Sequence, residues 1–346
     1  MNAVFAVRLL AKRLSFPRLP PALLGALLLG ALPAVAQTPR PVAAPATPEM
    51  EEIEISAPRT GPRMWKLTRA GDSAHVVWIL GTLSPLPRRF VWQTDAVDAV
   101  LARSQELIPD VPSAELHFGP IMWIRLYLQW RKTRAVADHE TLQQTLPAAL
   151  YARFEAQKLK FAPREDSLEN LRPMVAGARL FNRALEASGL SHREDDLSQT
   201  VIKLARQKDV PVYKDKLKID DPLGLLKSLN QIPPAAEQSC LLTMIERMES
   251  DLGTMQQRAV AWSKGDVATL RQLPYPDEQT ACLQALSSVA RVNNLLQQYQ
   301  ADWLSAVEDS LSRNASALAL QPMDQLLGDA GLLAQLRTKG YTITGP

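Results

Sequence analysis

The sequence predicts an α/β protein: a mixed central sheet formed by N- and C-terminal strands, with a largely helical middle region. Two observations carry the prediction. Short runs rich in β-branched and aromatic residues cluster at the two ends of residues 61–346. Helical periodicity fills the stretch between them, and no short repeat is sustained.

Met64 to Thr68 and His75 to Leu80 read as two strands, and Ala70-Gly71-Asp72-Ser73 between them as a hairpin turn. The second run, HVVWIL, is almost wholly apolar, as a strand covered on both faces must be. Asp95 to Ser104 follows at helical period, with Val97, Val100 and Leu101 on one side. Glu106 to Val111 then reads as another buried strand, so the order β-α-β implies a parallel pair with a right-handed crossover. Helices are expected over 119–132, 142–159, 167–187, 196–207, 234–263 and 278–312, the last broken once. Asp220-Asp221-Pro222 reads as a turn opening a further helix. Val210 to Tyr213 reads as a third parallel strand, and Ala315 to Leu320 and Tyr341 to Thr344 as the closing strands. Asp329 to Lys339 has the pattern of an amphipathic helix, and Gly340 stands where a helix end favours positive φ.

Residues 1–36 read as a cleavable secretory signal. Arg8, Lys12, Arg13 and Arg18 precede the apolar run Ala22 to Leu32, and Ala34-Val35-Ala36 has the small-x-small pattern of a cleavage site. A run of that length falls short of the ~20 apolar residues that span a bilayer, so no stable membrane span is expected after cleavage. Residues 37–60, rich in Pro and Ala and then acidic, read as a solvated linker, and residues 61–346 as the folded domain. The expected location is periplasmic or secreted. The chain's net charge of +3 includes the leader's four cations and no anions, so its removal leaves −1 and no nucleic-acid footprint. In an oxidising compartment the only two cysteines, Cys240 and Cys282, read as a disulfide.

Gly119 to Trp130 (GPIMWIRLYLQW) is unusually apolar. With Arg125 as its single cation it reads as a packed helix in preference to a membrane-docking one.

Other residues point to ancestry. Met64-Trp65-Lys66-Leu67, followed by Ile79-Leu80-Gly81-Thr82-Leu83-Ser84, resembles the opening motif of the TraB/GumN family, which includes the Tiki proteins. Ala261-Trp262-Ser263-Lys264-Gly265-Asp266 resembles its "W…GD" turn. Gln325-Leu326-Leu327-Gly328-Asp329-Ala330-Gly331-Leu332-Leu333, with Gly340-Tyr341-Thr342-Ile343, resembles its closing motif. The resemblance covers residues 64 to 344. It implies a metalloprotease-like scaffold in which two Gly-x-x-His motifs and an acid meet at the ends of adjoining strands. Two imidazoles and a carboxylate can hold a divalent ion and leave room for water.

This sequence departs from that pattern. Ser84 and Gln325 stand at the histidine positions, Pro322 at the second glycine, Asp110 at the acid, and Tyr299-Gln300 at an Arg-Asn pair. The four histidines, His75, His117, His139 and His192, show no pairing at ligand spacing. No Gly-x-Ser-x-Gly, His-Glu-x-x-His or phosphate-loop motif occurs. The family-site equivalents are therefore Gly81, Thr82, Ser84, Asp110, Gln325 and Gly328. They suggest a catalytically degenerate member that binds a peptide or envelope protein and needs no cofactor. The alternative is a metal-dependent peptidase or hydrolase whose divalent cation is held by oxygen, with Asp110 and Asp324 as its carboxylates.

Overall fold

The computed structural model describes residues 61–72, 74–110, 119–136, 140–191, 197–214, 219–273, 278–327 and 331–346. The leader, the linker, His117, His139, His192 and Gly328 lie outside them.

In chain order the elements begin β1 (Met64–Arg69), β2 (Val76–Thr82), β3 (Leu86–Pro87), α1 (Asp95–Leu101) and β4 (Leu107–Ile108). The helical middle holds α2 (Pro120–Thr133), α3 (Leu142–Thr145), α4 (Ala148–Phe161) and α5 (Pro173–Ala187), then β5 (Leu190–Ser191) and α6 (Leu197–Gln207). It continues through α7 (Pro222–Ser228), α8 (Pro234–Ser250), α9 (Leu252–Ser263), α10 (Val267–Gln272), α11 (Glu278–Ser287) and α12 (Ala290–Arg313). The chain closes with β6 (Ser316–Pro322), α13 (Met323–Leu326), α14 (Leu332–Thr338) and β7 (Tyr341–Thr344).

Strands from both ends form one mixed sheet in the order β4-β6-β2-β1-β7. The β1–β2 hairpin is antiparallel, and Gly71 takes φ +78° in its turn, where a side chain would be strained. β7 adds antiparallel to β1, while β6 runs parallel to β2 on one side and to β4 on the other. The expected β2–β4 pair is thus corrected: both strands run parallel, but β6 separates them. Its first six residues are all buried, and a strand so apolar is most stable in the middle of a sheet. The strand expected at Val210 to Tyr213 shrinks to one parallel bridge, Val212 to Leu107. A two-stranded ribbon, β3 with β5, lies outside the main sheet.

Prolines account for most revisions to the helices. Pro120, Pro173, Pro222 and Pro234 each open a helix, where a missing N–H is no loss. The helix expected over 142–159 is cut at Leu146-Pro147, and the one over 167–187 becomes a 3₁₀ turn (Asp166–Asn170) followed by α5. The helix expected over 234–263 breaks at Asp251, whose buried carboxylate is paired with Arg247 and Arg258. Gly340 takes φ +88° after α14, as expected.

The sheet's core gathers Trp65, Ile79, Leu107, Trp262, Trp303 and Leu318. Two further clusters fill the helical middle, one around Phe154, Leu180 and Leu241, the other around Leu126, Leu226 and Leu286. In the latter the expected disulfide is present, Cys240 on α8 bonded to Cys282 on α11. Among the described residues no helix is long and apolar enough to cross a membrane.

Candidate functional site

Because β2, β6 and β4 are mutually parallel, their carboxyl ends fall on one edge of the sheet. Such edges are where open α/β sheets place ligands. The candidate residues arrive there in turn: Thr82 ends β2 and Ser84 lies two residues beyond it. Asp110 lies two residues past β4, and Gln325 sits in α13 directly after β6.

Two hydrogen-bonded groups form at this edge. The Thr82 hydroxyl donates to Asp110 Oδ2 at 2.8 Å, and the Ser198 hydroxyl donates to the same oxygen at 2.6 Å. All three side chains are buried. The Tyr299 hydroxyl, from α12, donates to the Asp110 backbone carbonyl. One residue thus ties the ends of two strands to α6 and α12. In the second group the Gln321 side-chain amide donates to Gln325 Oε1 at 2.5 Å. Ser84 is half-buried and precedes a cis peptide bond to Pro85, while Asp324, in α13, is also half-buried. Among the described residues no group of three or more His, Cys, Asp or Glu side chains is placed to hold a metal ion. His75 is engaged elsewhere, pairing with Asp72 at 2.9 Å at the amino end of β2.

Gly81 has a packing reason. A Cβ there would approach Met323 Cε to 2.5 Å and Sδ to 2.8 Å, so the glycine lets α13 lie close against β2. Its carbonyl accepts a 2.6 Å hydrogen bond from the Trp262 indole, and the Leu320 carbonyl accepts one of 3.0 Å from Trp303.

The Trp-Ser-Lys-Gly-Asp turn has a mechanical reading too. Gly265 takes φ +67°, and a Cβ there would lie 2.7 Å from the Gly61 carbonyl oxygen. Asp266 then caps α10 by accepting from the Thr269 N–H and hydroxyl, which hold its carboxyl below the usual range. The turn aims Trp262 at β2 and sets the next helix.

Sequence reasoning missed Ser198, which no motif marks, and saw Tyr299 only as a departure from a pattern. Trp262 did stand in a motif, but its partner could not be read from it.

The profile of the TraB/PrgY/gumN family matches residues 63–345, and the chain belongs to that family. No curated protein and no solved structure shows a significant match to it.

Proposed function

We propose that the protein is an exported TraB/PrgY/gumN member that binds a peptide or an envelope protein without cleaving it. The Thr82–Asp110–Ser198 group carries this reading. An acid serving as metal ligand or general base needs lone pairs aimed at the ion or the substrate. Asp110 Oδ2 receives O–H groups from two separate elements, which commits that oxygen to fastening the scaffold.

The neighbouring donors support the same reading. Where the family resemblance places imidazoles stand a hydroxyl, Ser84, and an amide, Gln325, whose oxygen already accepts from Gln321. Neutral oxygen groups do not match the nitrogen and sulfur preference of a transition metal. The residues present therefore do not fit the family's metal. The competing reading is a hydrolase that holds a hard cation on Asp110 and Asp324, drawing on their common place at the strand ends. Under either reading residues 1–36 are removed on export, residues 37–60 remain as a linker, and residues 61–346 act in the periplasm or outside the cell.

A random peptide library applied to the purified protein tests the proposal, with Mn²⁺, Ca²⁺ or Mg²⁺ supplied in turn. Peptides retained and recovered intact are the expected result. Metal-dependent cleavage that disappears in Asp110→Ala would overturn the proposal in favour of the hydrolase. Mass spectrometry of the mature chain is expected to find Gln37 at its N-terminus.

A further inference from the structure

Helix α2 is apolar on both sides, and among the described residues only one side is covered. Leu126 is buried, and Met122, Trp123 and Trp130 pack against the cluster that includes Leu225, Leu226 and Leu229. Thr133 anchors the helix end by donating to the Leu226 carbonyl at 3.3 Å, and Arg172 donates to the Thr133 carbonyl at 3.2 Å. The outer side exposes Ile121 (73 %), Ile124 (58 %) and Leu128 (50 %), with Tyr127 beside them. Positions 121, 124 and 128 follow i, i+3, i+7, so they form one stripe along the helix. The expected packing holds for one side of the helix and not for the other. The difference arises because the sequence places large apolar groups around most of the circumference, more than one neighbouring surface can cover.

The charges beside the stripe indicate what covers it. At 100° per residue, Arg125 and Lys132 fall on one flank and Arg131 on the other, all exposed. The helix contains no Asp or Glu. An isologous contact with a second copy would set these cations against one another. A surface both apolar and anionic complements them.

We propose that α2 is an interfacial helix through which the protein rests on a bilayer bearing anionic phospholipids. Ile121, Ile124 and Leu128 would enter the headgroup boundary, with Arg125, Arg131 and Lys132 meeting the lipid phosphates. This does not depend on what the strand-end site binds.

The test is a local one, because the apolar run of the leader can itself bind vesicles. A nitroxide is attached at Ile124→Cys in the full chain, the native cysteines being bonded to each other. A second label at Leu159→Cys, exposed on α4, is the control. On vesicles of phosphatidylglycerol with phosphatidylcholine, the label at 124 is expected to gain oxygen access and lose contact with an aqueous nickel reagent, while that at 159 stays aqueous. Arg125→Gln with Lys132→Gln is expected to weaken this insertion about 30-fold, at ~1 kcal/mol per cation. An aqueous label at 124 on vesicle-bound protein would overturn the proposal, and so would equal insertion into phosphatidylcholine alone. Shielding of the label without lipid, together with a doubled mass in sedimentation, would assign the face to a second copy.

Discussion

The Trp262 indole N–H donates to the Gly81 carbonyl oxygen at 2.6 Å across 181 positions of sequence. It joins the last turn of α9 to the strand end from which the candidate site begins. Trp262 is fully buried and also meets Trp92 edge-on, with ring centroids 5.2 Å apart. Trp262→Phe keeps an aromatic ring but leaves the carbonyl without this donor and a small space where the rest of the indole lay. A loss of about 1–3 kcal/mol in urea unfolding is expected, with faster amide exchange at the carboxyl end of β2. Exchange there that stays unchanged would mean the bond does not hold the strand end.

The two hydroxyls on Asp110 provide a test of whether that carboxylate is structural. Thr82→Val and Ser198→Ala each remove one O–H donor to Oδ2 while keeping most of the side-chain volume. Each is expected to destabilise by about 1–3 kcal/mol. Because they share one acceptor, the double variant should depart from the sum of the single ones by at least ~0.5 kcal/mol. Additive, near-neutral effects in denaturant unfolding would count against the scaffold role.

What was legible in the sequence depended on how local its cause is. Strands β1, β2, β6 and β7 could be read because each is a short run, apolar in β2 and β6 and alternating in β1 and β7, bounded by turn chemistry. Gly340 and the two cysteines likewise carry their meaning on their own. Helical periodicity runs on through Pro147 and Pro173, but the helices do not, because the proline ring disfavours continuation. The central place of β6 was not legible, since it depends on pairing residues more than two hundred positions apart. Ser198 was hidden for the same reason: nothing near it distinguishes its hydroxyl from any other early in a helix. At the strand ends the sequence nominated Thr82, Asp110 and Gln325 singly. Only the fold shows which of them bond, Thr82 with Asp110 and Gln325 with Gln321.

In the helical middle, Glu237 is buried beside Arg172, which also donates to the Leu229 carbonyl at 2.9 Å. Burial raises the Glu237 carboxyl above its ordinary value, with Arg172 pulling the other way. Between the carboxyl's ordinary and raised values, the folded state holds a proton that the unfolded chain has released. Stability is fully present below the ordinary carboxylate range and falls as pH rises through the raised value. Glu237→Gln should remove that decline, seen as a flatter curve of unfolding free energy against pH. Arg172→Ala removes the charge that opposes the rise at Glu237, so the decline in stability should extend to higher pH than in the parent. A pH profile identical in Glu237→Gln and the parent would refute the assignment.

The Cys240–Cys282 bond closes a loop of 42 residues between α8 and α11. On the chain-entropy model, a loop of this length contributes about 4 kcal/mol by restricting the unfolded chain. Both cysteines are buried, so a reductant reaches the bond only when the helices part. Two consequences can be separated. Protein unfolded with reductant present should show a midpoint lowered in proportion to that free energy, as should Cys240→Ser with Cys282→Ser. Folded protein given the same reductant should react slowly, at a rate that tracks the opening of this region. Rapid reduction of the folded protein, traced by thiol labelling, would show that α8 and α11 separate far more readily than their packing implies. The bond would then be the main restraint on that cluster, and the double Ser variant should lose near-ultraviolet circular dichroism even without denaturant.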